Sequence, residues 1–252
     1  MSMKKISVIC FALVMVFAMA ACGGSKGEVY KVAMEPTFPP FDTTDKETGK
    51  LAGFDVDMME AIAKDQGFTI EWSDMGFDGL IPALKADNID IIASGMFASE
   101  EREAEVDFSE TYYDSGLVLA VKESNTTVKS VADLTPEMKV GAQVGTSGAE
   151  EAQKLASEGK IKEAKIYNGL DVAVMDLQNG TIDGLVNDKP VTQTYMKEKP
   201  GEIKIVGDNI NVEAYGIAVK EGNKELLKKI NDGLKNIKEN GEFDKIYKKW
   251  FE

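Results

Sequence analysis

The sequence predicts an α/β protein built from two units, each a sheet flanked by helices. From residue 29 onward, short β-forming runs alternate with amphipathic helical segments, which is typical of βαβ units. The alternation starts again after a strand at residues 116–122, so we expect two units of about one hundred residues each. No fixed-period repeat or low-complexity tract interrupts the pattern.

The elements of the first unit follow from hydrophobic periodicity. In residues 55–66, Val56, Met59 and Ile62 recur on one helical face, and Gly67 supplies the stop. Short alternating or fully apolar runs predict the strands. We therefore predict strands at residues 29–34, 68–72 and 89–93 and helices at residues 55–66 and 79–86.

The second unit repeats the alternation, and the chain closes with two amphipathic helices. In residues 224–239, Leu227, Ile230, Leu234 and Ile237 form an apolar stripe. The predicted strands are residues 116–122, 139–144, 164–167, 183–186, 202–206 and 214–219, and the predicted helices are residues 147–157, 171–179, 190–197, 224–239 and 243–251.

The N-terminal residues have the composition of a processing signal. Lys4 and Lys5 precede an apolar run at residues 6–21 that is short for a membrane span. Small residues then lead into Cys22 and a glycine-rich stretch, a pattern that resembles a bacterial lipoprotein lipobox. We expect a signal peptide at residues 1–21, lipid on Cys22 and a tether at residues 22–27. A signal peptide cut elsewhere, with an incidental cysteine, is the alternative.

The composition excludes several classes of site. The chain has no histidine and only two cysteines, and Cys10 would leave with the signal peptide. A zinc site of cysteine and histidine, a disulfide and a histidine-dependent catalytic triad are therefore excluded, and we expect no metal and no cofactor. The net charge of −14 argues against nucleic acid and against electrostatic binding to anionic lipid.

Arg102 is the only arginine among 29 basic residues. A guanidinium grips a carboxylate with two parallel hydrogen bonds, which a lysine ammonium cannot do. Ser99 is the predicted N-cap of the helix that carries Arg102, and a cation in this first turn opposes the helix dipole. Two interpretations stay open at this point: a carboxylate clamp, or a surface partner of neighbouring glutamates.

The loops that follow strands hold the other candidates, because ligands of open α/β sheets lie beyond the carboxyl ends of strands. Prolines stiffen the loop around Phe38, which is either an aromatic wall or a core residue. Gly95 permits close backbone approach, and the turn at residues 145–148 could bind an anion at a helix start. Asp188 either caps the next helix or accepts from an ammonium group.

Several segments, taken in order, resemble one protein family. They are GFDVD at residues 53–57, FDGLIPAL at 77–84, Glu101-Arg102, VDFS at 106–109, Tyr112-Tyr113 and IYKKWF at 246–251. This set is similar to the polar amino-acid branch of the bacterial extracellular solute-binding proteins, family 3. Those proteins are the capture subunits of ABC importers.

The resemblance implies a two-lobed clamshell of the type II periplasmic-binding-protein kind, with two hinge strands. One lobe would comprise residues 28–115 plus 216–252 and the other residues 116–215, with hinges near 114–117 and 213–216. It also implies a monomer on the cell membrane that faces the extracellular side or the periplasm. The partners implied are an amino acid, an ABC permease and its ATPase.

The resemblance further assigns roles to single residues. Arg102 would bind the α-carboxylate, helped by backbone at Gly95 and by the Thr146-Ser147 turn, and Asp188 would bind the α-ammonium. The family usually has a small hydroxyl residue where this chain has Phe97. Phe38 and Phe77 would be aromatic walls, and Glu35, Gln143 and Asn187 would select the side chain. The full candidate set is Glu35, Phe38, Phe77, Ser94, Gly95, Met96, Phe97, Arg102, Gln143, Thr146, Ser147, Asn187 and Asp188.

Charge balance in this implied pocket favours a basic ligand. Arg102 and Asp188 would neutralise the two ends of an amino acid and leave Glu35 without a partner, and an unpaired buried carboxylate is costly. We therefore expect arginine first, then lysine or ornithine, with glutamine as the alternative. The competing functions are a clamshell enzyme such as a dehydratase and a sensory lipoprotein, and we expect no catalysis.

Overall fold

A computed structural model describes residues 27–252, which form two mixed sheets flanked by helices. The predicted signal peptide, Cys22 and most of the predicted tether lie outside the described residues. Within residues 27–252, no helix has both the length and the apolar composition needed to cross a membrane. The predicted α/β architecture is confirmed.

Most of the predicted elements lie close to their predicted positions. Up to residue 115 they are β1 (Val29–Met34), β2 (Thr43–Thr44), β3 (Leu51–Ala52), α1 (Phe54–Gln66), β4 (Thr69–Asp74), α2 (Phe77–Lys85), β5 (Ile91–Ile92), α3 (Glu100–Glu103), β6 (Val106–Phe108) and β7 (Tyr113–Ser115). After residue 115 they are β8 (Leu117–Lys122), a 3-10 turn (Val131–Asp133), β9 (Lys139–Gln143), α4 (Ser147–Ser157), β10 (Glu163–Tyr167), α5 (Leu170–Asn179), β11 (Gly184–Asp188), α6 (Lys189–Glu198), β12 (Ile203–Val206), β13 (Glu213–Tyr215), β14 (Ala218–Lys220), α7 (Lys224–Glu239) and α8 (Glu242–Phe251).

The two sheets share one layout, in which four strands run in one direction and one strand, β14 or β8, runs against both of its neighbours. The first sheet has the order β4-β1-β5-β14-β6, with β1 parallel to both of its neighbours. The second has the order β10-β9-β11-β8-β12, with β9 parallel to both of its neighbours. In each sheet the carboxyl ends of the parallel strands meet at one edge, where open α/β sheets hold their ligands.

A short ribbon of β7 and β13, called the hinge ribbon below, lies where the chain passes between the sheets. Its antiparallel register pairs Ser115 with Glu213 and Tyr113 with Tyr215. The single strand predicted at residues 214–219 is wrong, because this run serves two partners. Its first part pairs with β7 as β13, and its second part pairs with β5 and β6 as β14.

The last two helices, α7 and α8, pack in the lobe that contains the first sheet. The apolar stripe of α7 packs against α1, with Leu226, Ile230, Leu234 and Ile237 buried. Leu226 takes the buried place that the sequence assigned to Leu227, which is half-buried. From α8, Phe251 packs its ring 5.2 Å from that of Phe41. These helices therefore complete the core beneath the first sheet.

Candidate functional site

A small cavity lies between the two sheets, at the carboxyl ends of their parallel strands. Every lining residue belongs to the predicted set: Phe38, Phe77, Gly95, Phe97, Arg102, Gln143, Thr146, Ser147 and Asp188. A larger groove between α1 and α8 is open to solvent and lined by charged surface residues such as Glu60 and Lys245. The enclosed cavity is the candidate site.

Arg102 is a buried cation at the rim between the lobes. Ser99 caps α3 as predicted, since its hydroxyl accepts the Arg102 N–H at 3.4 Å. The guanidinium donates to the carbonyl of Phe97 and to the carbonyl of Gly145, both at 3.0 Å. Within residues 27–252 it forms no ion pair, so the structure does not support the interpretation as a surface partner of neighbouring glutamates.

The electrostatics of Arg102 follow from its burial. The side chain is 7% exposed, and its guanidinium carbon lies 5.4 Å from the centre of the Phe77 ring. Burial lowers the pKa of Arg102, and the nearby acids Glu150, Asp188 and Glu213 oppose that shift. An arginine stays protonated in proteins. Because two carbonyls use only part of its five donors, the remaining N–H groups can bind a carboxylate.

The turn at Gly145 closes the cleft against α2. Gly145 has φ +74°, and a Cβ there would lie 2.9 Å from the Cα of Asp78. A side chain would therefore be both strained and in collision with the backbone of the other lobe. Together with the bond from Arg102 to the Gly145 carbonyl, this contact holds the two sheets around the cavity.

Asp188 ends β11 and faces the cavity. It occupies the N-cap position of α6 but makes no capping hydrogen bond, so the alternative that it caps this helix is wrong. Its Oδ2 accepts from the Tyr215 hydroxyl at 2.5 Å instead. Burial raises the pKa of Asp188 to about 7, a shift that Glu213 increases and Tyr215 opposes. A carboxylate held this way is suited to bind an ammonium group.

Three phenylalanines provide the apolar walls. Phe97 packs its ring 5.0 Å from the ring of Tyr215, and Phe38 lies 6.3 Å from the same ring. Phe77 faces the guanidinium of Arg102. The carbonyl of Phe97 accepts from Arg102, while its N–H makes no hydrogen bond within residues 27–252. That N–H is therefore available to a ligand where the family's hydroxyl is missing.

In the loop before Phe97, the Gly95 N–H and the Ser94 hydroxyl form hydrogen bonds with other groups of the protein. The Gly95 N–H donates to Asp55 Oδ2 at 2.7 Å, and the Tyr112 hydroxyl donates to the same oxygen at 2.8 Å. The Gly95 N–H is thus already paired, and a Cβ on Gly95 would lie 2.6 Å from the Phe38 ring. Neither Ser94 nor Met96 lines the cavity: the Ser94 hydroxyl accepts a backbone N–H, and Met96 packs in the core.

The turn into α4 leaves backbone donors free. Thr146 caps the helix, because its hydroxyl donates to the Gln143 carbonyl at 2.7 Å and accepts the Ala149 N–H at 3.2 Å. The Ser147 hydroxyl donates to Glu213 at 3.4 Å. The backbone N–H groups of Ser147 and Gly148 make no hydrogen bond within residues 27–252. At a helix start such groups attract an anion.

Of the three residues predicted to select the ligand side chain, Gln143 lines the cavity, whereas Glu35 and Asn187 do not. Gln143 lines the cavity, and its amide donates to the Asn168 carbonyl at 3.2 Å. Glu35 is buried beside the cavity without lining it, and burial raises its pKa. The Asn187 amide instead donates to the hydroxyl of Thr192 at 3.1 Å, inside the second sheet's own lobe.

The comparisons with known proteins agree with this geometry. The sequence model of the bacterial extracellular solute-binding proteins, family 3, matches residues 30–252. The chain belongs to this family. Within residues 27–252 of this family 3 protein, no three carboxylate, imidazole or thiol groups lie close enough together to hold a metal ion.

Relatives of this family 3 protein match it over almost its whole length. A probable histidine-binding protein of Neisseria gonorrhoeae is 36% identical to this chain. The match spans 100% of this chain and 97% of the relative. A putative ABC transporter arginine-binding protein 2 of Escherichia coli K12 is 34% identical, over 99% of this chain and 100% of the relative. A solved structure of an ancestral arginine-binding protein bound to arginine is 42% identical, with a TM-score of 0.85 over 90% of this chain and 100% of that one. The two-lobed fold class is thereby confirmed.

Two residues of the site went unnoticed in the sequence of this family 3 protein. Tyr215 and Glu213 lie in the hinge ribbon, and both point polar groups at the site. No motif surrounds them, because the run around them has the composition of an ordinary strand. Their one signal is position, since they lie in a strand where the chain passes between the two sheets.

Proposed function

We propose that this protein captures a free amino acid between its two lobes and delivers it to an ABC permease. One observation carries the proposal: Arg102 and Asp188 line the same closed cavity between phenylalanine walls. Arg102, with the free N–H groups of Phe97 and Ser147, would bind the α-carboxylate. Asp188 would bind the α-ammonium, and the aromatic rings would exclude water from both ion pairs.

The proposed lobes are residues 28–115 plus 216–252 and residues 116–215, with hinges near 114–117 and 213–216. The strand membership of the two sheets supports this division. Each lobe supplies part of the contacts, so a ligand binds the closed form better than the open form and shifts the population toward it. The permease would recognise that closed form.

The charges around the cavity favour a cationic ligand. Asp188 lines it and Glu35 and Glu213 lie beside it, whereas Arg102 is the only cation that lines it among residues 27–252. A zwitterionic amino acid adds no net charge, so the acids remain in excess. A cationic side chain reduces that excess and lowers the cost of the buried unpaired carboxylates. We therefore propose arginine first, then lysine or ornithine, with glutamine as the alternative.

Calorimetric titration with single amino acids tests the ligand class. We expect arginine to bind in the micromolar range or tighter, and glutamine to bind more weakly. Glutamate should fail to bind, because its side chain would add a negative charge beside Glu35. Tight binding of glutamate with none of arginine would contradict the proposal.

Ligand affinity should fall as the pH drops below about 7. Burial raises the pKa of Asp188 to about 7 in the closed form, and an ammonium ligand needs the ionised carboxylate. Below that pH, binding must first remove a proton from Asp188, so affinity should fall about tenfold per pH unit. Above it, affinity should be constant. Calorimetry from about pH 5.5 to about pH 8.5 measures this.

A conservative variant identifies Asp188 as the titrating group. Tyr215→Phe removes the hydroxyl that stabilises the ionised carboxylate, so the midpoint of the pH profile should move upward. Tyr167→Phe is the matched control, because the Tyr167 hydroxyl bonds to Asp176 inside the second lobe. An affinity that stays constant from pH 5.5 to 8.5 refutes the role of Asp188.

The remaining parts of the proposal concern location and chemistry. We propose a monomer held at the outer membrane face by lipid on Cys22, working with an ABC permease and its ATPase. We also propose that it performs no chemistry on its ligand. Mass spectrometry of the intact protein tests the lipid, and mass spectrometry of the incubated ligand tests turnover. A product of changed mass would favour the dehydratase alternative.

A further inference from the structure

Thr37 connects the loop after β1 to two helices that flank the other sheet. Its hydroxyl accepts the backbone N–H of Leu170 at 3.1 Å, and its carbonyl accepts the Tyr195 hydroxyl at 3.1 Å. Leu170 begins α5, and Tyr195 lies within α6. One residue therefore holds two helices of the opposite lobe, and it can do so only when the cleft is closed.

The contact with Leu170 supplies a helix cap across the cleft. The N-cap of α5 is Gly169, which has no side chain to accept a hydrogen bond from the first turn. The first N–H groups of a helix have no partner within the helix. The Thr37 hydroxyl takes one of them from outside the lobe. In contrast, α4 is capped by its own Thr146, which accepts the Ala149 N–H.

The same hydroxyl is also bound to Glu35. It donates to the carboxylate at 2.8 Å, and the Thr37 N–H donates at 3.3 Å. A hydroxyl has a single proton. When that proton goes to Glu35, the lone pairs of the oxygen are left to accept from Leu170. A hydrogen bond to an ionised carboxylate is stronger than one to a neutral acid, so the charge of Glu35 fixes the direction of the hydroxyl.

We propose that Thr37 is a positioning residue that couples the charge at Glu35 to closure of the lobes, so that a cationic ligand side chain stabilises the closed form more than a neutral one. The inference rests on the proposed function, because it assumes that the ligand side chain lies near Glu35. A cationic side chain keeps Glu35 ionised, which orients the Thr37 hydroxyl toward it and leaves the oxygen to cap α5. A neutral side chain stabilises the ionised form of Glu35 less, so the hydrogen bond that orients the Thr37 hydroxyl is weaker.

Calorimetry of Thr37→Val with arginine and with glutamine tests the coupling. Valine keeps the shape of threonine and removes the hydroxyl. We expect arginine to bind about tenfold more weakly, through faster dissociation, and glutamine about twofold more weakly. Thr37→Ser keeps the hydroxyl and should restore the preference for arginine. Equal losses for the two ligands, or no loss for arginine, would overturn the proposal.

Three control variants and one exchange measurement separate loss of the helix cap from a general loss of affinity or stability. Thr48→Val removes an exposed hydroxyl that bonds within its own loop, and it should change neither affinity. Tyr195→Phe removes only the bond to the Thr37 carbonyl and should weaken both ligands alike, whereas Tyr167→Phe should not. In Thr37→Val, amide exchange should quicken at Leu170 and stay unchanged at Ala149. Unchanged exchange at Leu170 would overturn the cap.

The exchange measurement also separates this inference from the proposed function. A wild-type protein that binds neither arginine nor glutamine would contradict the proposed function and the coupling to a cationic ligand. The cap itself would then still be judged by exchange at Leu170.

Discussion

Replacing Arg102 with lysine should weaken amino-acid binding by about a hundredfold, equivalent to about 3 kcal/mol. The guanidinium donates to the Phe97 carbonyl in one lobe and to the Gly145 carbonyl in the other, and it also faces the Phe77 ring. An ammonium group cannot reach both carbonyls and still offer a parallel pair of donors to a carboxylate. Calorimetry with arginine measures the loss.

The control for this change is another cation in the same region. Lys85 is half-exposed and pairs with Glu105 at 2.6 Å, so Lys85→Met should leave affinity unchanged. Thermal unfolding checks that Arg102→Lys is folded, since the substitution also loosens a buried contact. If folded Arg102→Lys binds arginine as tightly as the wild type, Arg102 is not the carboxylate clamp.

Asp42→Asn should raise the free energy of unfolding by about 1–3 kcal/mol at pH 8. Asp42 is fully buried, and neither carboxyl oxygen has a hydrogen-bond partner within residues 27–252. Burial raises its pKa well above the usual range, repulsion from Asp55 and Glu35 adds to the shift, and the nearby Ser94 hydroxyl opposes it. An asparagine carries no charge and offers an amide donor to the neighbouring carboxylate of Asp55.

The sign of the pH dependence follows from the raised pKa. Between the ordinary aspartate pKa and the raised one, the unfolded chain is ionised while the folded protein holds the proton. The wild type therefore loses stability as the pH rises through this interval. Below the ordinary pKa both states are protonated, so the advantage of Asp42→Asn should fade toward about pH 4. Urea unfolding at several pH values measures both effects.

An exposed aspartate gives the comparison. Asp45 accepts hydrogen bonds from Thr48, which lower its pKa, so Asp45→Asn should show no gain at pH 8. A variant Asp42→Asn that is less stable than the wild type at pH 8 would contradict the prediction. So would a gain of equal size at pH 4.

Local pattern was enough to predict most of the fold. The helix predicted at residues 224–239 has those bounds, and the helix at residues 147–157 also matches. Both have an apolar stripe that one sheet face can bury, so their periodicity carries the information. The failure at residues 214–219 has the opposite cause. Local sequence there favours one strand, but pairing partners far away in the chain divide it.

The site was predictable where single residues carry unusual chemistry. The composition singled out Arg102, and its loop position agreed with the family resemblance. The pairing of Asp188 with Tyr215 was not predictable, because 27 positions separate them and only the hinge ribbon brings them together. The family pattern likewise gave no sign that the Gly95 N–H would be taken by Asp55.

The hinge ribbon has a mechanical consequence. Because β7 and β13 are hydrogen-bonded to each other, we expect the two passages between the lobes to move together as one unit. Tyr215 belongs to that unit and holds Asp188 by its hydroxyl. A ligand that binds Asp188 would therefore also act, through Tyr215, on the ribbon that joins the two lobes.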